Sequence, residues 1–195
     1  MFTILWLGMS YVLGAIPFGL LLTKMRGLPD PRKHGSRNMG ATNVARVCGT
    51  GCGVATLLLD MLKGFFPVAV AVSFSNSWFF ITLTALAVLL GHMYSVFLGG
   101  KGGKGAATTV GLYLGLAFWP TFLGLIVCLT VIKLGGFVSL GSLTLVTLMP
   151  ILLLLTGMYA FLPLSLLVMA LVYARHKDNI QRLAKGEEQA WRCCA

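Results

Sequence analysis

Long apolar stretches alternate with short polar gaps along this chain, and their lengths are those of membrane-spanning helices. A spanning helix needs about 20 apolar residues, usually about 17–25, and residues 2–23, 53–73 and 78–98 meet that requirement. Residues 106–132 are too long for one comfortable span and short for two, and segments 143–156 and 158–174 follow. Every Lys and Arg except Lys63 lies in the gaps, whereas the turn at 73–77 has none. Basic residues stay on the cytoplasmic side. Splitting 106–132 into two short crossings, broken near Trp119-Pro120, puts all four basic gaps there, including Lys133 and the Arg175–Arg192 tail. The pattern predicts an all-α integral membrane protein with seven transmembrane helices, N-terminus outside and C-terminus cytoplasmic. A five-helix model, merging 106–132 into one span and 143–174 into another, keeps both termini where they are. No repeat and no Pro-rich or charged linker divides the chain, so residues 1–195 read as a single domain.

Composition narrows the class. With 57% apolar and only 10% charged residues, the chain is unlike a soluble domain, where charged residues make up about a quarter. The net charge of +10 calls for anionic partners. Few aromatics stand beside the charges, which favours phosphate groups and membrane lipid over nucleic acid. No charge precedes Lys24, so the first segment lacks the basic start of a cleaved signal. Cys48, Cys52, Cys128, Cys193 and Cys194 lack zinc-site spacing and read as free thiols. Cys193 and Cys194 are either acylation sites or an inconsequential tail.

Three gaps carry residues suited to phosphate. In the first, Ser36, Asn38, Thr42 and Asn43 are short donors and acceptors, and Arg46 offers a two-pronged contact; turns and caps use the same residues. In the second, Gly102, Gly103 and Gly105 permit close backbone approach, a helix starting near Ala106 aims N–H groups at an anion, and Lys101 and Lys104 add charge. Gly105 stands where a nucleotide-binding loop has Ser or Thr. The third places Asn179 near one helical turn beyond His176, with Arg175 and Arg182 beside them. Near Lys133, Ser142 is placed to cap the next apolar helix and to meet an anion there. Asp60 and Lys63 fall inside a span, where they pair with each other or face the bundle interior, in either a structural or a site role. His92 serves packing or hydrogen bonding, and Glu188 either anchors the tail through a salt bridge or is solvated.

Together these motifs resemble the bacterial acyl-phosphate:glycerol-3-phosphate acyltransferases, the PlsY family. The pattern GSxNxGATNVxR is matched throughout Gly35–Arg46. The pattern GHxxPxFxxFKGGKGVAT is matched over Gly91–Thr108 except at Ser95, Gly100 and Ala106, where Pro, Phe and Val are usual. A basic-His run followed by NIxRLxxGxE is met by His176, Asn179, Ile180, Arg182, Leu183, Gly186 and Glu188.

The resemblance implies transfer of a fatty acyl group from acyl phosphate to the sn-1 hydroxyl of glycerol 3-phosphate. The products are lysophosphatidic acid and inorganic phosphate, formed at the cytoplasmic face of the bacterial inner membrane, with no metal or other cofactor. An upstream enzyme that makes acyl phosphate is a further implied partner. Two phosphate monoesters bring about −1.5 to −2 each, which suits a site rich in cations. Acyl phosphate carries a good leaving group, so alignment and charge neutralisation matter more than a protein nucleophile. The expected course is direct attack by the glycerol hydroxyl with a donor phosphate oxygen taking the proton; His176 as base and a transient acyl-Ser36 are the alternatives. No His is followed by Asp five positions on, unlike the acyltransferases that use acyl-CoA. A transporter would carry charges in several spans, and a CDP-alcohol phosphotransferase would need an acidic cluster; neither pattern is present.

Overall fold

The computed structural model describes residues 2–191; Arg192, Cys193 and Cys194 lie outside the described residues. All regular structure among them is helical, and the chain forms two compact units, residues 2–116 and 117–191.

In the first unit, α1 (Phe2–Ala15) and α2 (Phe18–Met25) replace the continuous span expected over 2–23. Pro17 explains the break, since it has no N–H for the ladder and its ring crowds the preceding turn. The two helices meet at 48°. A polar loop then leads to α3 (Ala41–Cys48), which Gly49 ends at φ 89°, and to the 25-residue α4 (Thr50–Phe74). The loop before α5 (Trp78–Met93) contains Ser77, whose hydroxyl accepts from Phe80 N at 3.3 Å and caps the helix. A 3₁₀ turn at Val96–Leu98 and the glycine-rich loop lead into α6 (Ala106–Leu116).

Small residues set how closely these helices pack. A Cβ on Gly64 of α4 would stand 2.3 Å from the Thr108 carbonyl, and one on Gly111 would stand 1.9 Å from the Met61 carbonyl. Backbone meets backbone along the α4–α6 seam, as is usual in membrane bundles, where van der Waals contact drives association. Gly14 and Gly91 do the same for α1 and α5, against Val88 and Tyr11. The outer face of α4, with Leu57, Leu58, Leu62 and Phe66, stays exposed, as a lipid-facing surface does.

The second unit comprises α7 (Phe118–Gly135), α8 (Val138–Leu155), α9 (Leu162–Arg175) and α10 (Lys177–Ala184). The apolar run 106–132 is broken near Trp119-Pro120 as expected, the break falling at Ala117. Pro120 belongs to the first turn of α7, where an N–H has no intrahelical partner to lose. α9 and α10 bend by 65° at His176.

Four helices, Thr50–Phe74, Trp78–Leu98, Phe118–Gly135 and Val138–Leu155, are long and apolar enough to cross a membrane; counting each bent pair as one span makes six among the described residues. α6 is shorter, at 11 residues.

Candidate active site

The first basic gap is a loop tied down by one side chain. Asn43 is 2% exposed. Its Oδ1 accepts the Ser36 N–H at 2.8 Å, and its Nδ2 donates to the carbonyls of Pro31 (2.8 Å), His34 (3.1 Å) and Asn38 (2.8 Å). An amide engaged this fully acts as scaffold. It holds Gly35 and Arg37 at φ 59° and 57°. Ser36 is exposed, Thr42 is half-buried, and Asn38 accepts the Gly40 N–H at 2.8 Å. Arg46, in the last turn of α3, has a buried Nε with no hydrogen-bond partner among the described residues. At the loop's outer edge, the Arg32 guanidinium beside Asp30 holds that carboxyl down at about 2.

The second gap folds back onto the end of α5. Gly102 N donates to the Met93 carbonyl at 3.0 Å and Gly103 N to the His92 carbonyl at 3.1 Å. A Cβ on Gly102 would lie 2.0 Å from the His92 carbonyl oxygen, and one on Gly103 would lie 2.3 Å from His92 Nε2. Glycine is therefore required for the loop to sit where it does. Gly105, at φ 85°, hands the chain to α6, so the N-terminal N–H groups of that helix adjoin the loop, as expected. Lys101 is exposed and Lys104 is half-buried. Ser95 is buried, its Oγ donating to the Ala15 carbonyl at 2.6 Å, and Gly100 takes φ 79°, which a side chain adopts at a cost.

Under the glycine loop lies a charged cluster. Lys63 Nζ is 2.7 Å from Asp60 Oδ1, and His92 Nδ1 is 3.8 Å from the same oxygen. Pairing of Asp60 with Lys63 was legible from their spacing; the link to His92 was not. Lys63 also donates to the Ile16 carbonyl at 2.8 Å, an acceptor exposed by the Pro17 break. Further along α6, the Thr108, Thr109 and Tyr113 hydroxyls are buried without a hydrogen-bond partner among the described residues; Thr108 closes the second motif, whereas Thr109 and Tyr113 fall in the apolar run beyond it.

In the second unit, Glu188 organises the third motif. Its carboxylate accepts from Ser139 Oγ at 2.7 Å, from Asn179 Nδ2 and from Arg182 Nε at 2.7 Å. Burial pushes this carboxyl up, but the three hydrogen bonds and the Arg182 charge outweigh it and hold it below the usual range. The salt-bridge anchor expected of Glu188 is present. His176 is buried between α9 and α10, and its Nδ1 contacts the Val172 carbonyl at 2.8 Å; a carbonyl only accepts, so Nδ1 carries the hydrogen. Ser142 does not cap a helix. α8 begins at Val138, so Ser142 lies a turn inside and donates back to the Val138 carbonyl at 2.9 Å. Ser139, which sequence reasoning passed over, is the serine that reaches the cluster.

These elements define a polytopic α-helical integral membrane protein whose polar gaps are ordered by dedicated buried side chains. A family model described as glycerol-3-phosphate acyltransferase matches residues 4–186, and the chain belongs to that family. A glycerol-3-phosphate acyltransferase from Nitratidesulfovibrio vulgaris is 62% identical over 97% of this chain, which spans 58% of that relative's length. One from Lawsonia intracellularis is 51% identical over 97% of this chain and 96% of its own. The crystal structure of PlsY (YgiH), an integral membrane glycerol 3-phosphate acyltransferase, in its glycerol 3-phosphate form matches with a TM-score of 0.93 and 39% identity, over 97% of this chain and 96% of that one. Its lysophosphatidic acid form matches with a TM-score of 0.90 at 38% identity, over 97% of this chain and 95% of that one.

Proposed function

We propose that this protein acylates the sn-1 hydroxyl of glycerol 3-phosphate using acyl phosphate, by direct transfer assisted by the substrate. The observation that carries the reading is Arg46. A guanidinium is always charged, and a buried Nε–H without a protein acceptor calls for an anion. The neighbouring motif residues Ser36, Asn38 and Thr42 add short polar groups, and Lys101, Gly102, Gly103, Lys104 and Gly105 form a cationic loop with N–H groups. Ser142, His176 and Asn179 of the second unit are assigned to substrate phosphate as well. The glycerol 3-phosphate and lysophosphatidic acid forms of the similar PlsY structure support a phosphorylated glycerol as the ligand.

In the reaction, the glycerol hydroxyl oxygen attacks the acyl carbonyl carbon. The bond from that carbon to the phosphate oxygen breaks, the hydroxyl proton passes to a phosphate oxygen, and inorganic phosphate leaves. Fixed cations and N–H donors stabilise the developing charge without reorganising. One observation favours His176 as an alternative base: with Nδ1 donating to Val172, a neutral ring directs its basic lone pair to Nε2.

The same reading places seven spans in a bacterial inner membrane, counting α6, with the N-terminus outside and the basic loops cytoplasmic. All 195 residues then act as one acyltransferase domain, supplied by an enzyme that forms acyl phosphate. The test is formation of lysophosphatidic acid by purified protein supplied with synthetic acyl phosphate. It should require glycerol 3-phosphate, survive chelator and be absent with acyl-CoA. Equal rates with acyl-CoA, or loss of activity in chelator, overturn the reading.

A further inference from the structure

The buried ion pair of α4 takes no part in the proposed chemistry, yet it touches the elements that carry both phosphate loops. At the break around Pro17 the Ile16 carbonyl accepts the Phe18 N–H at 3.1 Å, and Lys63 Nζ donates to the same oxygen at 2.8 Å while lying 5.6 Å from the centre of the Phe18 ring. Phe18 opens α2, whose Gly19 abuts the first loop so closely that a Cβ would lie 2.2 Å from the Met39 carbonyl. On the other side, Asp60 Oδ1 meets Lys63 at 2.7 Å and His92 Nδ1 at 3.8 Å. The His92 carbonyl receives the Gly103 N–H, and its ring lies against Gly103 itself.

We propose that Asp60, Lys63 and His92 are positioning residues that set the bend of the first span and the seat of the glycine loop together, so that the Ser36–Arg46 loop and the Lys101–Lys104 loop keep a fixed separation. This rests on the reading that those loops hold substrate phosphate. Stability alone is a poor reason for such a cluster. Lys63 and Asp60 side chains are 2% and 4% exposed, and burying two charges costs several kcal/mol per ion, which often leaves well-packed apolar replacements equally stable. What apolar replacements lack is direction: a charge-assisted hydrogen bond fixes which carbonyl is held and at what distance.

The experiment compares wild type with Asp60→Leu/Lys63→Met, which removes both charges at once, and with His92→Leu and His92→Gln. Spin labels at Lys33 and Gly99, one on each loop, read the separation in full-length protein, and calorimetry of the unlabelled protein reads glycerol 3-phosphate binding. In wild type the distance distribution should be narrow. In the double variant and in His92→Leu it should broaden, glycerol 3-phosphate Kd should rise about 10-fold or more, and the thermal midpoint should hold; His92→Gln should recover most of the loss. An unchanged distribution and Kd in folded double variant overturn the proposal. If the double variant does not fold, equal distributions for His92→Leu, His92→Gln and wild type overturn it instead. Failure of the phosphate reading is seen separately, as wild-type protein that does not bind glycerol 3-phosphate, and the distance distributions still decide the coupling.

Discussion

Arg182 Nε stands 2.7 Å from Glu188 Oε2, across the turn in which Gly186 takes φ 71°. That contact, with Ser139 and Asn179 on the other oxygen, ties the first and last turns of α10 and the start of α8 to one carboxylate. Glu188→Ala leaves Asn179 and Arg182 without their acceptor and should lower stability by about 2–3 kcal/mol, toward the low end for a broken pair because Arg182 remains partly hydrated. Chemical or thermal unfolding in detergent measures the loss.

The same carboxylate sets a pH dependence. Its folded-state value lies below the ordinary glutamate range, so the folded protein favours the charged form. The contribution is complete above the unfolded value of about 4.3 and is lost as pH falls below it toward the folded value. Wild type should therefore lose stability relative to Glu188→Gln as pH is lowered below about 4.3. A constant difference between the two over that window would show that Glu188 carries no such linkage.

Glycines of the second loop should differ sharply in tolerance. Gly102→Ala drives a Cβ to within 2.0 Å of the His92 carbonyl. Backbone cannot swing away as a side chain can, so the loop must lift and kcat/KM should fall about 100-fold, a penalty typical of a misplaced site. Gly99 has open space around it and φ 58°, a conformation Asn tolerates. Gly99→Asn should keep activity within about threefold of wild type by the same steady-state assay.

Much of this architecture was legible because membrane length and charge placement are coarse signals that survive any packing. The span limits of α4 and α5 and the turn at 73–77 follow from apolar run length alone. The first span misled because hydropathy is blind to Pro17, which is apolar and breaks the ladder all the same. Ser142 misled for a related reason: a serine near a helix start looks like a cap, but Gly136 and Phe137 end one helix and open the next four residues earlier. Individual site residues showed through their motifs, whereas the convergence of Ile16, Asp60, Lys63, His92 and Gly103 needs three helices in register. No local pattern encodes that.

Topology has a direct check. Single cysteines at Ser75, in the turn between α4 and α5, and at Gln181, an exposed position of α10, avoid the buried contacts of either unit. In intact cells and a cysteine-free background, an impermeant thiol reagent should label position 75 and spare 181. Labelling of 181 alone would invert the orientation.

The chemistry is tested by separating phosphate gripping from proton transfer. Arg46→Ala and Lys104→Ala each take a cation from a site that must hold a dianion, and each should cost roughly 2–4 kcal/mol of transition-state stabilisation, by analogy with a lost oxyanion contact. That is about 30- to 1,000-fold in kcat/KM. If a donor phosphate oxygen takes the proton, His176→Gln should retain far more activity than Lys104→Ala. Gln can still donate a hydrogen bond toward the Val172 carbonyl but offers no basic nitrogen. The expected order of kcat is therefore wild type, then His176→Gln, then Lys104→Ala. A His176→Gln protein that folds and binds both substrates, yet is as inactive as Lys104→Ala, would transfer the role of base from the substrate to His176.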